Sequence, residues 1–355
     1  MKNAGVIEGF YGTPWSDTTR LDYASFLSEI GFRFYIYAPK NDSCLRRQWR
    51  EPWSDDWICR MNDLASVYHH RGLEFGIGFT PAGDASAVIR EAGLLTRRVA
   101  EIADAVKLDY FVLLFDDLKN NDSSRLAEYQ LAITDIVLAA SSAVKHHIIC
   151  PSYYSTDPVL EKVFGSRPEN YWEDFRRNLD PAVDVFWTGE KVCSTGYTRE
   201  HLERVAEIFG RLPFLWDNYP VNDGRKMADF MYLKPFADRP GCLDELTSGH
   251  AVNPMRQSLA NRLVLASLAR SYQGRALSLK SEEYWRMSTR VLGPETTELL
   301  RGDSETFASL GRCALDGERL AEMSRRYRSL GTASGCEIAD YIDGLYAFDP
   351  ACLTG

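Results

Sequence analysis

The amino-acid sequence predicts a (β/α)8 barrel followed by a small α-helical region. Short apolar runs alternate along the chain with segments of helical period. The runs are apolar almost throughout, and eight such units fit within the roughly 250 residues of a typical barrel. The alternative is an open doubly wound sheet. No run is followed by GxGxxG or GxxxxGK[ST], so a nucleotide-binding fold gains no support.

Each strand is predicted from a short apolar or β-branched run that ends in polar, Gly or Pro residues. In chain order the runs are GVIEGFYG (5–12), FRFYIYAPKND (32–42), LEFGIGFTPAG (73–83), DYFVLLFDD (109–117), HHIICPSYYS (146–155), VDVFWTGEKV (183–192), LPFLWDNYPVND (212–223) and GHAVNP (249–254). Such runs are typical of parallel strands that are buried on both faces.

The segments between the runs have the apolar spacing of helices, as in TTRLDYASFLSEIG (18–31) and AVIREAGLLTRRVAEIADAVK (87–107). MRQSLANRLVLASLARSYQ (255–273) predicts a long amphipathic helix that closes the barrel. The rest of the chain is charged and has helical character. We therefore expect residues 1–275 to form the barrel and residues 276–355 to form a helical appendage.

Composition restricts the possible partners. The net charge is −9, which argues against nucleic acid as the main partner. No apolar run approaches the roughly 20 residues that span a bilayer, and the N-terminal MKNAGVIEGFYG has no signal-peptide core. The eight cysteines include no CxxC pair, which disfavours both a zinc site and a disulfide framework. We expect a cytoplasmic protein without membrane attachment.

Polar residues stand at the end of nearly every predicted strand. They are Glu8-Gly9, Lys40-Asn41-Asp42, Asp116-Asp117, Tyr153-Tyr154, Thr188-Gly189-Glu190-Lys191, Asp217-Asn218, Asp223 and Asn253. In a barrel of this type, the active site lies at the carboxyl ends of the strands. The pattern predicts an enzyme, or at least a small-molecule site.

Asp116 and Asp117 are adjacent carboxylates directly after a buried strand. Like charges this close raise the pKa of one member of the pair, which suits acid–base chemistry at a glycosidic bond. A magnesium site for phosphate substrates, with Asp223 as a third ligand, is one alternative. A helix N-cap is another. The other strand ends carry amides and aromatic residues rather than an Arg/Lys clamp, which favours a sugar.

Five motifs together resemble the catalytic domain of glycoside hydrolase family 84, the β-N-acetylglucosaminidases that include protein O-GlcNAcases and hyaluronidase-like enzymes. They are GVIEGFYGTPWS, YIYAPKND, LLFDDL, WTGEKV and LWDNYPVND, in the family's order and at comparable spacing. The resemblance extends from about residue 5 to residue 255.

The resemblance implies a retaining exo-β-N-acetylglucosaminidase that uses the substrate's own acetamido oxygen as nucleophile and forms an oxazoline. Asp116 then orients the acetamido group, and Asp117 is the general acid and base. The implied sugar-binding residues are Gly9, Lys40, Tyr154, Trp216, Asn218, Asp223 and Asn253. The implied substrate is a GlcNAc-terminated glycoconjugate or glycoprotein, and neither a metal nor an organic cofactor is expected.

Other functions remain open at this point. The same scaffold could act on β-N-acetylgalactosamine, because contacts to the 4-hydroxyl decide that preference. A catalytically silent glycan-binding barrel is a further alternative, and a metal-dependent phosphohydrolase is a more distant one. The sequence departs from the family where PKND replaces PKDD, in SCLRRQWR, and at Gly224, where some members have tyrosine. We expect these departures to change recognition outside the sugar pocket.

Overall fold

The computed structural model describes residues 3–116, 124–236, 238–239 and 241–348. Eight parallel strands close into a barrel in sequence order, with β1 paired to β8. The strands are β1 (Ala4–Glu8), β2 (Phe34–Tyr37), β3 (Glu74–Phe79), β4 (Tyr110–Leu114), β5 (His146–Cys150), β6 (Val183–Trp187), β7 (Phe214–Asp217) and β8 (Gly249–Val252). The prediction of a (β/α)8 barrel with a helical C-terminal region is confirmed.

Helices follow the strands and cover the barrel. They are α1 (Asp17–Glu29), α2 (Asp55–His70), α3 (Ala85–Arg90), α4 (Ala92–Ala105), α5 (Leu126–Ala140), α6 (Val159–Phe164), α7 (Tyr171–Asn178), α8 (Arg199–Phe209), α9 (Leu243–Leu246), α10 (Ser258–Tyr272), α11 (Glu282–Leu292), α12 (Pro294–Glu305), α13 (Gly317–Arg328) and α14 (Ala333–Ile342). The segment of helical period over 87–107 is helical but is divided between α3 and α4. Glu91 leaves the helical conformation between α3 and α4, where its carboxylate bonds Arg50 at 2.6 Å.

Several helices begin where the sequence supplies a capping side chain. The hydroxyls of Ser16, Ser54 and Thr198 accept the backbone N–H three residues on, at the starts of α1, α2 and α8. Acidic residues follow in the first turns, where the helix dipole favours them. These local signals fix where each helix leaves the strand-end loop.

Aromatic rings fill the interior of the barrel. Phe34 and Phe214 meet there with ring centroids 5.7 Å apart. A Cβ on Gly249 would lie 2.3 Å from the Phe214 ring, and one on Gly5 would lie 2.4 Å from the Phe34 ring. Glycines on neighbouring strands therefore provide the space for these rings, and the barrel is a packed core below the strand ends.

The C-terminal helices are joined to the barrel by buried polar contacts. The Glu337 carboxylate on α14 accepts the backbone N–H groups of Leu259 and Ala260, both at 2.9 Å, at the start of α10. The Tyr341 hydroxyl donates to the carbonyl of Asp229 at 2.7 Å. A carboxylate at a helix N-terminus satisfies donors that have no partner within the helix. The division of the chain at residue 275 stays a prediction.

We expect Glu337→Gln to lower the free energy of unfolding by about 1–3 kcal/mol, because an amide replaces an acceptor-only group against several buried N–H donors. Urea unfolding measures this. Glu322→Gln, on the exposed face of α13, is the matched control. Equal stability of the two variants would contradict a capping role for Glu337.

Candidate active site

A cavity of about 210 Å³ lies at the carboxyl ends of the barrel strands. This volume is below the roughly 300–1,000 Å³ of pockets for drug-sized ligands, so it suits one small ligand. Eight of the nine predicted site residues line it, namely Gly9, Lys40, Asp116, Tyr154, Trp216, Asn218, Asp223 and Asn253. The ninth, Asp117, lies outside the described residues.

The alternation of strand side chains brings these residues together. Leu114 packs inside the barrel, and Asp116, two residues further along, lines the cavity. Lys40 follows the interior residue Ala38 in the same way, and Asn253 occupies the equivalent position after β8. Because successive side chains of a strand point to opposite faces, the inward-facing row continues into the loop above.

Asp116 forms a buried ion pair with Lys40. The Lys40 Nζ lies 2.5 Å from Asp116 Oδ2, and both side chains are almost completely shielded from water. The ammonium also lies 5.7 Å from the centre of the Trp216 ring and 5.8 Å from that of Tyr11. The fixed lysine and the aromatic wall hold the carboxylate in one position inside the cavity.

A chain of amide hydrogen bonds orders one wall of the cavity. The Asn218 Oδ1 accepts from Trp216 Nε1 at 2.8 Å and from Asn253 Nδ2 at 3.0 Å. The Asn218 Nδ2 donates to the Val192 carbonyl at 2.9 Å, and Asn253 Oδ1 accepts the Gly9 N–H at 3.2 Å. Each amide therefore has a defined orientation, as recognition of sugar hydroxyls requires.

Asp223 enters the cavity from the loop after β7. Its Oδ2 accepts the Tyr11 N–H at 2.8 Å, which ties this loop to the loop after β1. Burial raises the pKa of the Asp223 carboxyl, and the Tyr11 hydrogen bond opposes that shift only in part. Its neighbour Asn222 is buried and donates to Gln257 Oε1 at 2.7 Å. The loop is thus fixed by contacts of Asp223 itself and of the residue before it.

Two of the strand-end carboxylates do not face the cavity. Glu8 is buried against α1, and its carboxylate accepts hydrogen bonds from Arg20 Nε and Nη2, both at 2.8 Å. Asp217 is buried and bonds Arg239 at 2.8 and 2.9 Å and His250 at 3.1 Å. Burial acts to raise the pKa of Asp217, but the Arg239 charge and the hydrogen bonds hold it well below its usual range. These two carboxylates stabilise the rim of the barrel. The expectation that the strand-end polar groups all surround one site is therefore wrong for Glu8 and Asp217.

The cavity also contains residues that the sequence reasoning did not select. They are Tyr11, Cys150, Thr188, Val192, Cys193, Val221 and Met227. Cys150 and Thr188 each stand two residues after an interior residue of their strand, Ile148 and Phe186. Alternation places these two in the cavity only once the structure shows which row of each strand faces inward. The others lie in loops, where no periodic signal exists.

Two other features are absent from the described residues. In those residues no group of three or more His, Cys, Asp or Glu side chains could hold a metal ion. The helices in the same part of the chain include none that is long and apolar enough to cross a bilayer.

Comparison with known proteins gives consistent results. The family model described as beta-N-acetylglucosaminidase matches residues 4–302. Protein O-GlcNAcase from Rattus norvegicus and that from Mus musculus are each 29% identical over 277 residues, covering 76% of this chain and 30% of theirs. The chain thus spans about a third of the length of these relatives. A solved mutant of Thermobaculum terrenum O-GlcNAc hydrolase has a TM-score of 0.75 and 26% identity, covering 98% of this chain and 84% of that one.

Proposed function

The chain belongs to the beta-N-acetylglucosaminidase family, and from this premise we propose that it is a retaining exo-β-N-acetylglucosaminidase of the O-GlcNAcase type. It hydrolyses terminal β-linked GlcNAc by substrate-assisted catalysis. Its substrates are GlcNAc-modified glycoconjugates or glycoproteins. The observation that carries the proposal is the small cavity in which a shielded carboxylate, Asp116, stands beside oriented amides and aromatic rings.

The surroundings of Asp116 match the chemistry of an acetamido group. That group has an N–H donor and an apolar methyl, so it needs an acceptor beside an apolar wall. Asp116 supplies the acceptor, and Cys150, Tyr154 and Trp216 line the same small cavity. Cys150 is paired in the sheet with Leu114, which precedes Asp116 by two residues. These contacts support a role for Asp116 in aligning the acetamido oxygen with the anomeric carbon.

The proposed reaction has two steps. The acetamido oxygen bonds to the anomeric carbon while the glycosidic C–O bond breaks, and Asp117 gives its proton to the leaving oxygen. Water then attacks the anomeric carbon of the oxazoline and gives its proton to Asp117. The bond between the anomeric carbon and the acetamido oxygen breaks, and the sugar leaves with its original configuration at the anomeric carbon. Asp116 accepts the acetamido N–H throughout and stabilises the positive charge of the oxazoline.

The remaining cavity residues would bind the sugar hydroxyls. Asp223 is proposed to accept hydrogen bonds from the 4- and 6-hydroxyls. Lys40 would donate to a sugar oxygen, and Asn218, Asn253 and the Gly9 backbone would bind the other hydroxyls. A set of amides with one carboxylate suits a neutral sugar, because hydroxyls need both donors and acceptors. Hydrolysis of 4-nitrophenyl β-N-acetylglucosaminide and of its galacto epimer tests the proposal. Absence of turnover on the gluco substrate would refute it, and turnover of the galacto epimer alone would indicate β-N-acetylgalactosamine as the sugar.

We expect Asp223→Asn to lower kcat/KM on the gluco substrate by about 10- to 100-fold, the value of a hydrogen bond to a charged group. Because the pKa of Asp223 is raised, wild-type sugar affinity should fall as the pH drops through values above the usual 3.9 of aspartate. In the Asp223→Asn variant, the inhibition constant of GlcNAc should no longer rise as the pH falls through this range. Glu207→Gln, which replaces an exposed carboxylate on α8, is the control. If the variant keeps the wild-type pH dependence of this inhibition constant, a group other than Asp223 causes it.

A further inference from the structure

A second cleft, of about 320 Å³, adjoins the sugar cavity. The two share a short 3-10 turn (Met227–Asp229), in which Met227 lines the cavity and Asp229 lines the cleft. The far side of the cleft belongs to the C-terminal region, through Arg312 and Phe348. Arg225, only two residues after Asp223, completes it. The cleft therefore exists only where the barrel loop and the C-terminal region meet.

The cleft lies on the mouth side of the cavity. Lys40 and Asp116, deep in the cavity, are buried, whereas Met227 is half-buried and Cys193 is exposed. Met227 therefore lies nearer the mouth of the cavity than Lys40 and Asp116 do. When the sugar of a glycosylated polypeptide occupies the cavity, the polypeptide itself stays outside the mouth and lies against the surrounding surface.

The cleft is cationic and has an aromatic side. The Arg225 guanidinium lies 5.7 Å from the centre of the Phe348 ring. Within the described ranges, neither Arg225 nor Arg312 forms an ion pair with a carboxylate. Asp229 carries the opposing charge, and its Oδ1 accepts the Cys313 N–H at 2.8 Å. Two guanidinium groups against one occupied carboxylate leave the cleft with an excess of positive charge.

We propose that this cleft is a subsite for an acidic side chain of the glycosylated polypeptide, an inference that rests on the proposed function. An extended chain advances roughly 3.3–3.6 Å per residue, and Arg225 is at most about 7 Å from Asp223 along the backbone. The polypeptide is attached at the anomeric carbon, across the sugar ring from the 4-hydroxyl that Asp223 is proposed to bind, so we expect the acidic residue within about three residues of the sugar-bearing Ser or Thr. An Arg pair presents several donors to one carboxylate, which suits this recognition.

A third cleft, of about 300 Å³, has the opposite character. It is lined by Asp157 and Glu161 as well as Arg167. Asp157 Oδ2 accepts the N–H of Val192, which lines the sugar cavity, so this cleft also adjoins the mouth. The Arg167 guanidinium is stacked 3.8 Å from the centre of the Trp172 ring. The two clefts differ in net charge, so an acidic residue is favoured on one side of the sugar only.

The test compares pairs of Ser-O-GlcNAc peptides that differ by Glu or Gln at one position, from three residues before to three residues after the sugar. The wild type should prefer Glu over Gln on one side, by about two- to tenfold in kcat/KM, as expected from one or two exposed ion pairs. The preference should vanish in the double variant Arg225→Gln, Arg312→Gln, and in the wild type at 1 M salt. Arg325→Gln, an exposed arginine on α13, should keep it.

Because the Glu/Gln ratio is taken within each variant, a general loss of activity cancels from it. Equal rates on Glu and Gln peptides at every position would overturn the subsite. So would a preference that survives in the double variant. Both results leave the proposed function intact if 4-nitrophenyl β-N-acetylglucosaminide is hydrolysed by the wild type, whereas failure on that substrate removes the proposed function as well.

Discussion

Replacing Asp116 with alanine should lower kcat/KM for 4-nitrophenyl β-N-acetylglucosaminide by about 100-fold or more, the scale seen when one preorganised charge-stabilising group is removed from an active site. The expected cause is loss of the acceptor that orients the acetamido group and stabilises the oxazoline. The loss should appear mainly in kcat, because the interaction strengthens as positive charge develops.

The Asp116 variant needs a folding control, because Lys40 lies 2.5 Å from that carboxylate and is itself buried. Leaving one member of a buried ion pair alone typically costs about 3–5 kcal/mol of stability. Asp116→Asn keeps the shape and an oxygen acceptor for Lys40. It should fold better than Asp116→Ala, by urea unfolding, while losing most of the activity. Wild-type kcat in a folded Asn variant would refute the proposed role.

The variant Asp117→Ala distinguishes the proposed roles of the two carboxylates. A general acid is needed most for leaving groups that are poor without a proton, and its loss typically costs 10²–10⁴-fold. We expect a smaller loss on the 4-nitrophenyl substrate than on a Ser-linked sugar, because 4-nitrophenolate leaves without protonation. Asp116→Ala should affect both substrates to a similar degree. Equal losses for both variants on both substrates would contradict the assignment.

Replacing Arg239 with methionine should lower the free energy of unfolding by about 3–5 kcal/mol, because it leaves the Asp217 carboxylate buried without its cationic partner. Arg239 bonds Asp217 at 2.8 and 2.9 Å and the Ser194 carbonyl at 3.0 Å, and both charged side chains are shielded from water. Asp217 lies between Trp216 and Asn218 in the chain, and both of these line the cavity. The variant should therefore also lose sugar affinity.

Arg199→Met is the matched control for Arg239. Arg199 pairs with Glu203 along the exposed face of α8, and such an exposed pair adds little to stability. Urea unfolding of the two variants measures the difference. An Arg239 variant as stable as the Arg199 variant would contradict a stabilising role for the buried pair.

The Asp217–Arg239 pair also predicts a pH dependence. The pKa of Asp217 is depressed in the folded protein, so its contribution to stability is complete above the unfolded value of about 3.9 and is lost as the pH falls below it. In Arg239→Met the pKa of Asp217 should rise, and the slope of stability against pH below 4 should decrease. Unfolding in urea at pH 3 and at pH 6 tests this in both proteins.

The sequence alone was sufficient for the barrel, because hydrophobic periodicity is a local property. Eight apolar runs and the helical segments between them specify the order and type of the elements. Adjacent Asp116-Asp117, followed along the chain by Asn218 and Asp223, placed the candidate site at the strand ends. Boundaries were less well predicted, as the division at Glu91 between α3 and α4 illustrates.

The sequence could not distinguish which strand-end groups face inward. Strands that are apolar on both faces have no polar side chains to mark the outer face. The sequence therefore does not show which alternate residues point into the barrel. Only the closed barrel turns Asp116 into the cavity while it directs Glu8 and Asp217 outward to Arg20 and Arg239.

What the sequence determined by itself was the fold class, because hydrophobic periodicity is a local pattern, while the candidate catalytic and sugar-binding residues were implied by the resemblance of five motifs to a known family. What only the tertiary structure decided was their partners. Asp223 is held by the Tyr11 N–H, and Cys313 comes to Asp229 from the C-terminal region. Loops carry no periodic signal, and their conformations are set by contacts between residues that are far apart in the chain. The charged cleft beside the sugar cavity exists because two such distant segments meet there.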